Sequence, residues 1–274
     1  MTIPKWLHNK RIAILDIETD RIPTTLIHMI GVGILSIDDN GTFSYEPSKA
    51  FTRIYTPYSH GSLLESIALV QTCDYWCGHN LQAFDEREIR RHLSVDITIP
   101  ALDTLIISKI MLSKDELYAI DAQLKLPTDI WGSYSLKAFG MRLGGAGKIE
   151  FEDFDNMSED MAIYMNQDVD LTARLLKHLM TQENFPLQQV IDIEHKAATI
   201  IAEQTEFGFY IDIDKARELN TALLKEKGEI ARELATVFKP KWLKDGPVKT
   251  YKKPSVVRKY LPDNNYIPLL GTKL

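Results

Sequence analysis

The run Arg11-Ile-Ala-Ile-Leu-Asp16-Ile-Glu18-Thr19-Asp20 is apolar at its centre and acidic at its end. A short apolar stretch bounded by turn-forming residues reads as a strand buried in a sheet. Side chains alternate along a strand, so Asp16 and Glu18 point to one side, about 7 Å apart along the chain. Two like charges closing an apolar strand repel each other and are costly to desolvate. A divalent cation held by hard oxygen ligands is one reason to build such a pair. Ordinary loop chemistry is the other, since carboxylates also serve turns and helix starts. The choice turns on whether other segments supply matching ligands.

Two segments do. Cys77-Gly-His-Asn80-Leu-Gln-Ala-Phe84-Asp85 follows the short apolar stretch Tyr75-Trp76 and runs into a helix-like pattern anchored by Phe84, Ile89 and Leu93. Asp85 therefore sits near a helix N-terminus, where it serves either as a ligand or as a cap that favours the helix dipole. In the second segment, Ser158 with Glu159 and Asp160 marks a helix start. Met161, Tyr164, Asp168, Leu171 and Leu175 then recur at spacings of three and four, so Tyr164 and Asp168 share the core-facing stripe. An Asp on an apolar stripe needs a partner, which is a metal ion or the Tyr164 hydroxyl. Asp170 points elsewhere and reads as solvated.

Asp16/Glu18, Asn80/Phe84/Asp85 and Tyr164/Asp168, in that order, resemble the three motifs of the Asp-Glu-Asp-Asp exonuclease superfamily. The histidine branch carries His five residues before the last Asp; Ile163 stands there, so the tyrosine branch is the match. The stretches Ala101–Ile110, Gly132–Gly144 and Ile193–Ala198 resemble the N-terminal part of replicative DNA polymerases of short-tailed phages, the T-seven-like group of family A. Glu206-Phe-Gly-Phe-Tyr-Ile-Asp212 and the helix after it resemble the entry to that family's thumb. The resemblance runs to about Trp242.

That resemblance implies an α/β fold, a ribonuclease-H-like mixed sheet with flanking helices, followed by a C-terminal helical pair. It implies a 3′–5′ exonuclease domain over residues 1–186 and the start of a thumb-like region over 187–274. Asp16, Glu18, Asp85 and Asp168 would hold two Mg²⁺ or Mn²⁺ ions about 3.5–4 Å apart around a scissile phosphate. Tyr164 and Glu18 would orient the attacking water. Thr19 and Ile22 would face the terminal nucleotide, and Asn80 and Phe84 the single-stranded DNA leading to its 3′ end; apolar Ile22 and Phe84 also suit a core. The palm motifs of a polymerase are not found, which leaves a free-standing exonuclease, one piece of a split polymerase with a separate polymerase polypeptide as partner, or a fragment. In the T-seven-like group host thioredoxin docks just beyond this helix, a partner that no residue here supports. Two rivals are a catalytically idle exonuclease-fold binding module and an RNA-processing exonuclease of the same superfamily.

Local patterns agree with an α/β sheet. Strands are expected at 11–17, 28–37, 42–55, 75–78 and 100–103, with a hairpin turn at Asp38-Asp-Asn40-Gly41. Helices are expected at 62–70, 84–93, 104–111, 135–143, 158–181, 187–207 and 214–238, with 113–132 as a long loop. Cys73 and Cys77 fit neither a disulfide framework nor a four-ligand zinc site and read as buried thiols. No signal pattern or membrane-length apolar run appears, so the expectation is a cytoplasmic protein, in the host cytoplasm if phage-encoded. The net charge of −6 is uneven: nine Lys/Arg against two Asp/Glu from Lys239 to Leu274 leave about −13 on the first 238 residues. An acidic body suits a nuclease that meets phosphate through metal ions. The basic tail either touches phosphates or is a solvated terminus.

Overall fold

The computed structural model describes residues 3–145, 151 and 153–237. It divides into two compact units that meet between Phe207 and Gly208. In the first, strands β1 (Lys10–Thr19), β2 (Ile27–Ile37), β3 (Phe43–Thr52), β4 (Tyr75–Gly78) and β5 (Ala101–Asp103) form one sheet in the order β3-β2-β1-β4-β5. β1–β2 and β2–β3 are antiparallel, and β1–β4 and β4–β5 are parallel. This is the ribonuclease-H-like mixed sheet with flanking helices that the motifs imply.

Helices α1 (Leu63–Val70), α2 (Asp85–Leu93), α3 (Thr104–Met111), α4 (Lys114–Gln123), α5 (Leu136–Arg142), α6 (Glu159–Met180) and α7 (Gln188–Phe207) complete this unit. β1 is central and covered on both faces, as its near-continuous apolar run requires. Ile12 and Ile14 pack with Val169, Leu171 and Leu175 of α6 on one face. Ala13, Leu15 and Ile17 pack with Ile67 and Ile89 on the other. Asp16 and Glu18 continue the α6 face.

The turn at 38–41 forms as expected, with Gly41 at φ 79° and Asp38 accepting from the Asn40 and Thr42 N–H groups at 2.9 and 2.6 Å. Ser158 caps α6 by accepting from the Met161 N–H at 3.1 Å. Both cysteines are buried and free. Among the described residues no helix is long and apolar enough to cross a membrane.

Three expectations are corrected. The strand expected to reach Tyr55 ends at Thr52; the Arg53 N–H makes one last bond to the His28 carbonyl of β2, and the chain beyond it is not strand. The expected loop 113–132 contains α4, started by a capping box of Ser113 and Glu116. It is held by an ion pair between Asp121 and Arg142 at 2.7 Å, whose side chains are 0% and 6% exposed. Asp170 is half-buried rather than solvated and accepts from the Tyr45 hydroxyl at 2.5 Å. Burial and that carboxylate push the Tyr45 phenol far above its usual range.

The two C-terminal helices fall in different units. α7 belongs with the sheet although the sequence suggests a division near Pro186: Ile191 is in the core, and His195 bonds to Asp103. α8 (Ile213–Val237) is the described part of the second unit. Phe238 and the basic tail lie outside the described residues.

Candidate active site

The site is built where β1 ends. Asp16 pairs across the sheet with Gly31 of β2, and Glu18 with Met29. A side chain at Gly31 would stand 2.9 Å from Val169 Cγ2 and 3.0–3.1 Å from Met165, so α6 lies on the sheet at a glycine. That close approach delivers the next side chain, Asp168, to the strand carboxylates. Asp16, Glu18 and Asp168 each offer a ligand oxygen, and these atoms all lie within 4.8 Å of one another. Glu18 and Asp168 are buried and Asp16 is half-buried.

Asp85 comes in from the other side of β1. It is the first residue of α2, preceded by Phe84 in the cap position, and no side chain caps the helix start. Its carboxyl is pushed well above the usual range, first by burial and then by the Asp16 charge beside it, with the Ile17 backbone N–H acting in the opposite direction. A buried carboxyl repelled by a neighbouring carboxylate takes up a proton or a cation. The three clustered carboxylates, Asp16, Glu18 and Asp168, fit a hard divalent ion such as Mg²⁺ or Mn²⁺, while Asp85 stands outside that group of three.

Tyr164 lies one turn before Asp168 on the same helix face and is buried. Its ring packs at 5.4 Å from Phe151 and 6.0 Å from Phe154. The Phe154 carbonyl accepts from the Nε2–H of buried His28 at 3.1 Å, and burial lowers the pKa of that histidine. This clamp on Tyr164 was not read from the sequence, because residues 28 and 154 carry no motif and meet only in the fold.

The other candidate residues line the same sheet edge. Thr19 is buried at the end of β1, beyond a bulge between Glu18 and Thr19. Ile22 is 84% exposed in the β1–β2 connection, which removes its core alternative. Asn80 and Phe84 lie on the turn from β4 to α2, immediately before Asp85. Asn80 is exposed with φ 76°, while Phe84 is half-buried and packs on the apolar cluster under α1 and α2. Asp103, missed as a contributor, holds this turn: its carboxylate accepts from the Asn80 N–H at 2.9 Å and caps α3 through the Leu105 N–H at 2.8 Å. Its own N–H donates to Nε2 of buried His195 at 2.6 Å. An Asp directly before a helical pattern was the readable signal.

Comparison with known proteins bears on this constellation. The chain is 28% identical over 238 residues to the DNA-directed DNA polymerase of Escherichia phage T7, covering 71% of the chain and 34% of that protein. It is 27% identical over 228 residues to the enzyme of Enterobacteria phage T3, covering 67% and 32%. The similarity is to phage DNA polymerases. It agrees with the group that the motifs resemble, and the chain spans about one third of the length of these relatives. Among solved structures, Brucella melitensis NrnC is similar with a TM-score of 0.35 and 16% identity, covering 73% of this chain and 82% of that one. No protein-family model matches.

Proposed function

We propose that this chain is a metal-dependent 3′–5′ exonuclease that removes nucleotides from the 3′ ends of single-stranded DNA, as the proofreading part of a family A, phage-type DNA polymerase. The observation that carries the reading is the convergence of Asp16, Glu18 and Asp168, from a strand and a distant helix, to within 4.8 Å, with Asp85 alongside Asp16. Buried carboxylates at that spacing repel one another, and divalent cations relieve the repulsion. The polymerase relatives supply the substrate class. The nuclease body is the unit that ends at Phe207, α7 included.

Asp16, Glu18, Asp85 and Asp168 would hold the ions. Bound there, such ions would supply a lowered pKa for the attacking water and charge compensation for the scissile phosphate and its leaving 3′ oxygen. The protein's own part is positioning. Glu18 accepts a hydrogen bond from the water, and the Tyr164 hydroxyl, steadied by Phe151 and Phe154, fixes the water's direction of approach. Thr19 and Ile22 meet the terminal nucleotide. Asn80 and Phe84 meet the strand behind it through contacts that tolerate any base, as proofreading requires.

A 5′-labelled single-stranded oligonucleotide incubated with Mn²⁺ tests this. The expected outcome is a ladder shortening from the 3′ end, release of 5′-mononucleotides, and arrest by EDTA. Digestion that persists in EDTA, or that starts from the 5′ end, refutes the assignment.

A further inference from the structure

The edge of the sheet that holds the carboxylates also carries an exposed apolar and basic rim. Glu18 pairs with Met29 and Met29 with Thr52, so β3 leaves the sheet two strands away from Glu18. That is about 10 Å at ordinary strand spacing. The residues that follow are Arg53, Ile54 and Tyr55, with Ile54 56% and Tyr55 80% exposed.

This loop is built rather than loose. The Arg53 N–H donates to the His28 carbonyl at 2.9 Å, the Thr52 N–H to Gly61 at 3.0 Å and the His60 N–H to Ala50 at 2.8 Å. The Thr56 N–H donates to Ser59 Oγ at 2.8 Å. Tyr58 turns inward and packs on the Met29, Met161 and Met165 cluster, beside the Phe151 and Phe154 rings that flank Tyr164. The loop therefore shares its footing with the active site: His28 holds Arg53 through its carbonyl and Phe154 through its ring. A loop anchored at both ends by these backbone bonds that still presents an aromatic ring and a guanidinium to solvent has the make-up of a stacking platform with a phosphate contact. Arg53 supplies positive charge on a body whose first 238 residues carry about −13.

We propose that Arg53 and Tyr55 form a second subsite for single-stranded DNA, in which Tyr55 stacks a base upstream of the scissile bond and Arg53 contacts the adjoining phosphate. The inference rests on the nuclease reading for the direction in which the strand runs. Stacking is indifferent to base identity, so the subsite would hold a strand whose 3′ end has just been shortened.

The test is fluorescence anisotropy of labelled dT12 and dT2 with the full chain in EDTA, where neither cleavage nor metal-held phosphate contributes. Wild type is expected to bind dT12 more tightly than dT2. Tyr55→Ala should weaken dT12 binding about 5- to 150-fold, the range of one lost base stack, and narrow the gap to dT2, while Tyr55→Phe restores it. Arg53→Ala should lower the slope of log affinity against log salt by about 0.7, one phosphate contact on a single strand. Unchanged dT12 binding by Tyr55→Ala, an unchanged salt slope for Arg53→Ala, or no dT12 binding by wild type overturns the subsite. Cleavage with Mn²⁺ is scored separately. A wild type that binds through Tyr55 yet cleaves nothing supports the subsite and removes only the nuclease reading.

Discussion

Replacing Gly31 with alanine perturbs the site without touching any candidate ligand. The new Cβ stands 2.9 Å from Val169 Cγ2, 3.0 Å from Met165 Cε and 3.1 Å from Met165 Cγ. Carbon atoms pack best at about 3.5–4.0 Å, so Val169 must retreat by at least about 0.6 Å. Val169 is fully buried, and an interior packed at crystal density has no slack to absorb this locally. Overpacking of this kind costs about 1–3 kcal/mol. For a unit of this size that lowers Tm by about 2–12 °C. Because Asp168 is the neighbouring residue on α6, the same displacement pulls its carboxylate from Asp16 and Glu18. Disturbing the support of a metal ligand weakens affinity about 10- to 100-fold. Thermal denaturation and Mn²⁺ titration calorimetry read both effects. Gly31→Ala/Val169→Ala should recover part of the loss, giving a coupling energy between contacting residues. Wild-type Tm together with wild-type Mn²⁺ affinity in Gly31→Ala would refute the idea that a close helix–strand approach assembles the carboxylates.

Mn²⁺ at 100 times its Kd should stabilise the wild type by about 2.7 kcal/mol, and Asp16→Ala or Asp168→Ala should abolish the Tm increase that reports it. Under the proposed function, each of Asp16→Ala, Glu18→Ala, Asp85→Ala and Asp168→Ala nearly abolishes turnover in a 3′-end shortening assay, whereas Tyr164→Phe loses roughly 10²–10⁴-fold; near-normal rates in Asp85→Ala would remove it from the set. Asp121→Ala strands the buried Arg142 guanidinium and should cost about 3–5 kcal/mol in urea denaturation. The Arg142 hydrogen bond holds the Asp121 carboxyl below its ordinary value of 3.8, so the pair's contribution is present above that pH and is lost as pH falls through the lowered value. Acid denaturation of wild type should therefore steepen below about pH 4, and Asp121→Asn should lack that component. Tyr45→Phe removes the donor to Asp170 and should cost about 1.5–3 kcal/mol by the same denaturation measurement.

Much of this molecule is legible in one dimension because the relevant physics is local. The apolar run from Ile12 to Leu15 is a central strand wherever it is placed, and alternation alone puts Asp16 and Glu18 on one side. Spacing of four puts Tyr164 and Asp168 on one helical stripe, and Ser158 marks where that helix begins. The capping box of Ser113 and Glu116 was equally local and shows that α4 lay within reach of sequence reasoning.

The tertiary structure decided what depends on contacts between distant segments. Gly31 looks like an interruption in a strand until Val169 and Met165 arrive against it. His28 and Phe154 carry no pattern and meet across 126 positions to wall in Tyr164. Asp103 organises the Asn80 turn from 23 residues away. Thr52, not Tyr55, ends β3, and this sets Tyr55 outside the sheet. Periodicity in sequence records which face a side chain takes. Which groups meet on that face, and how closely, is set by packing between elements, and there the carboxylates of β1 and α6 become one site.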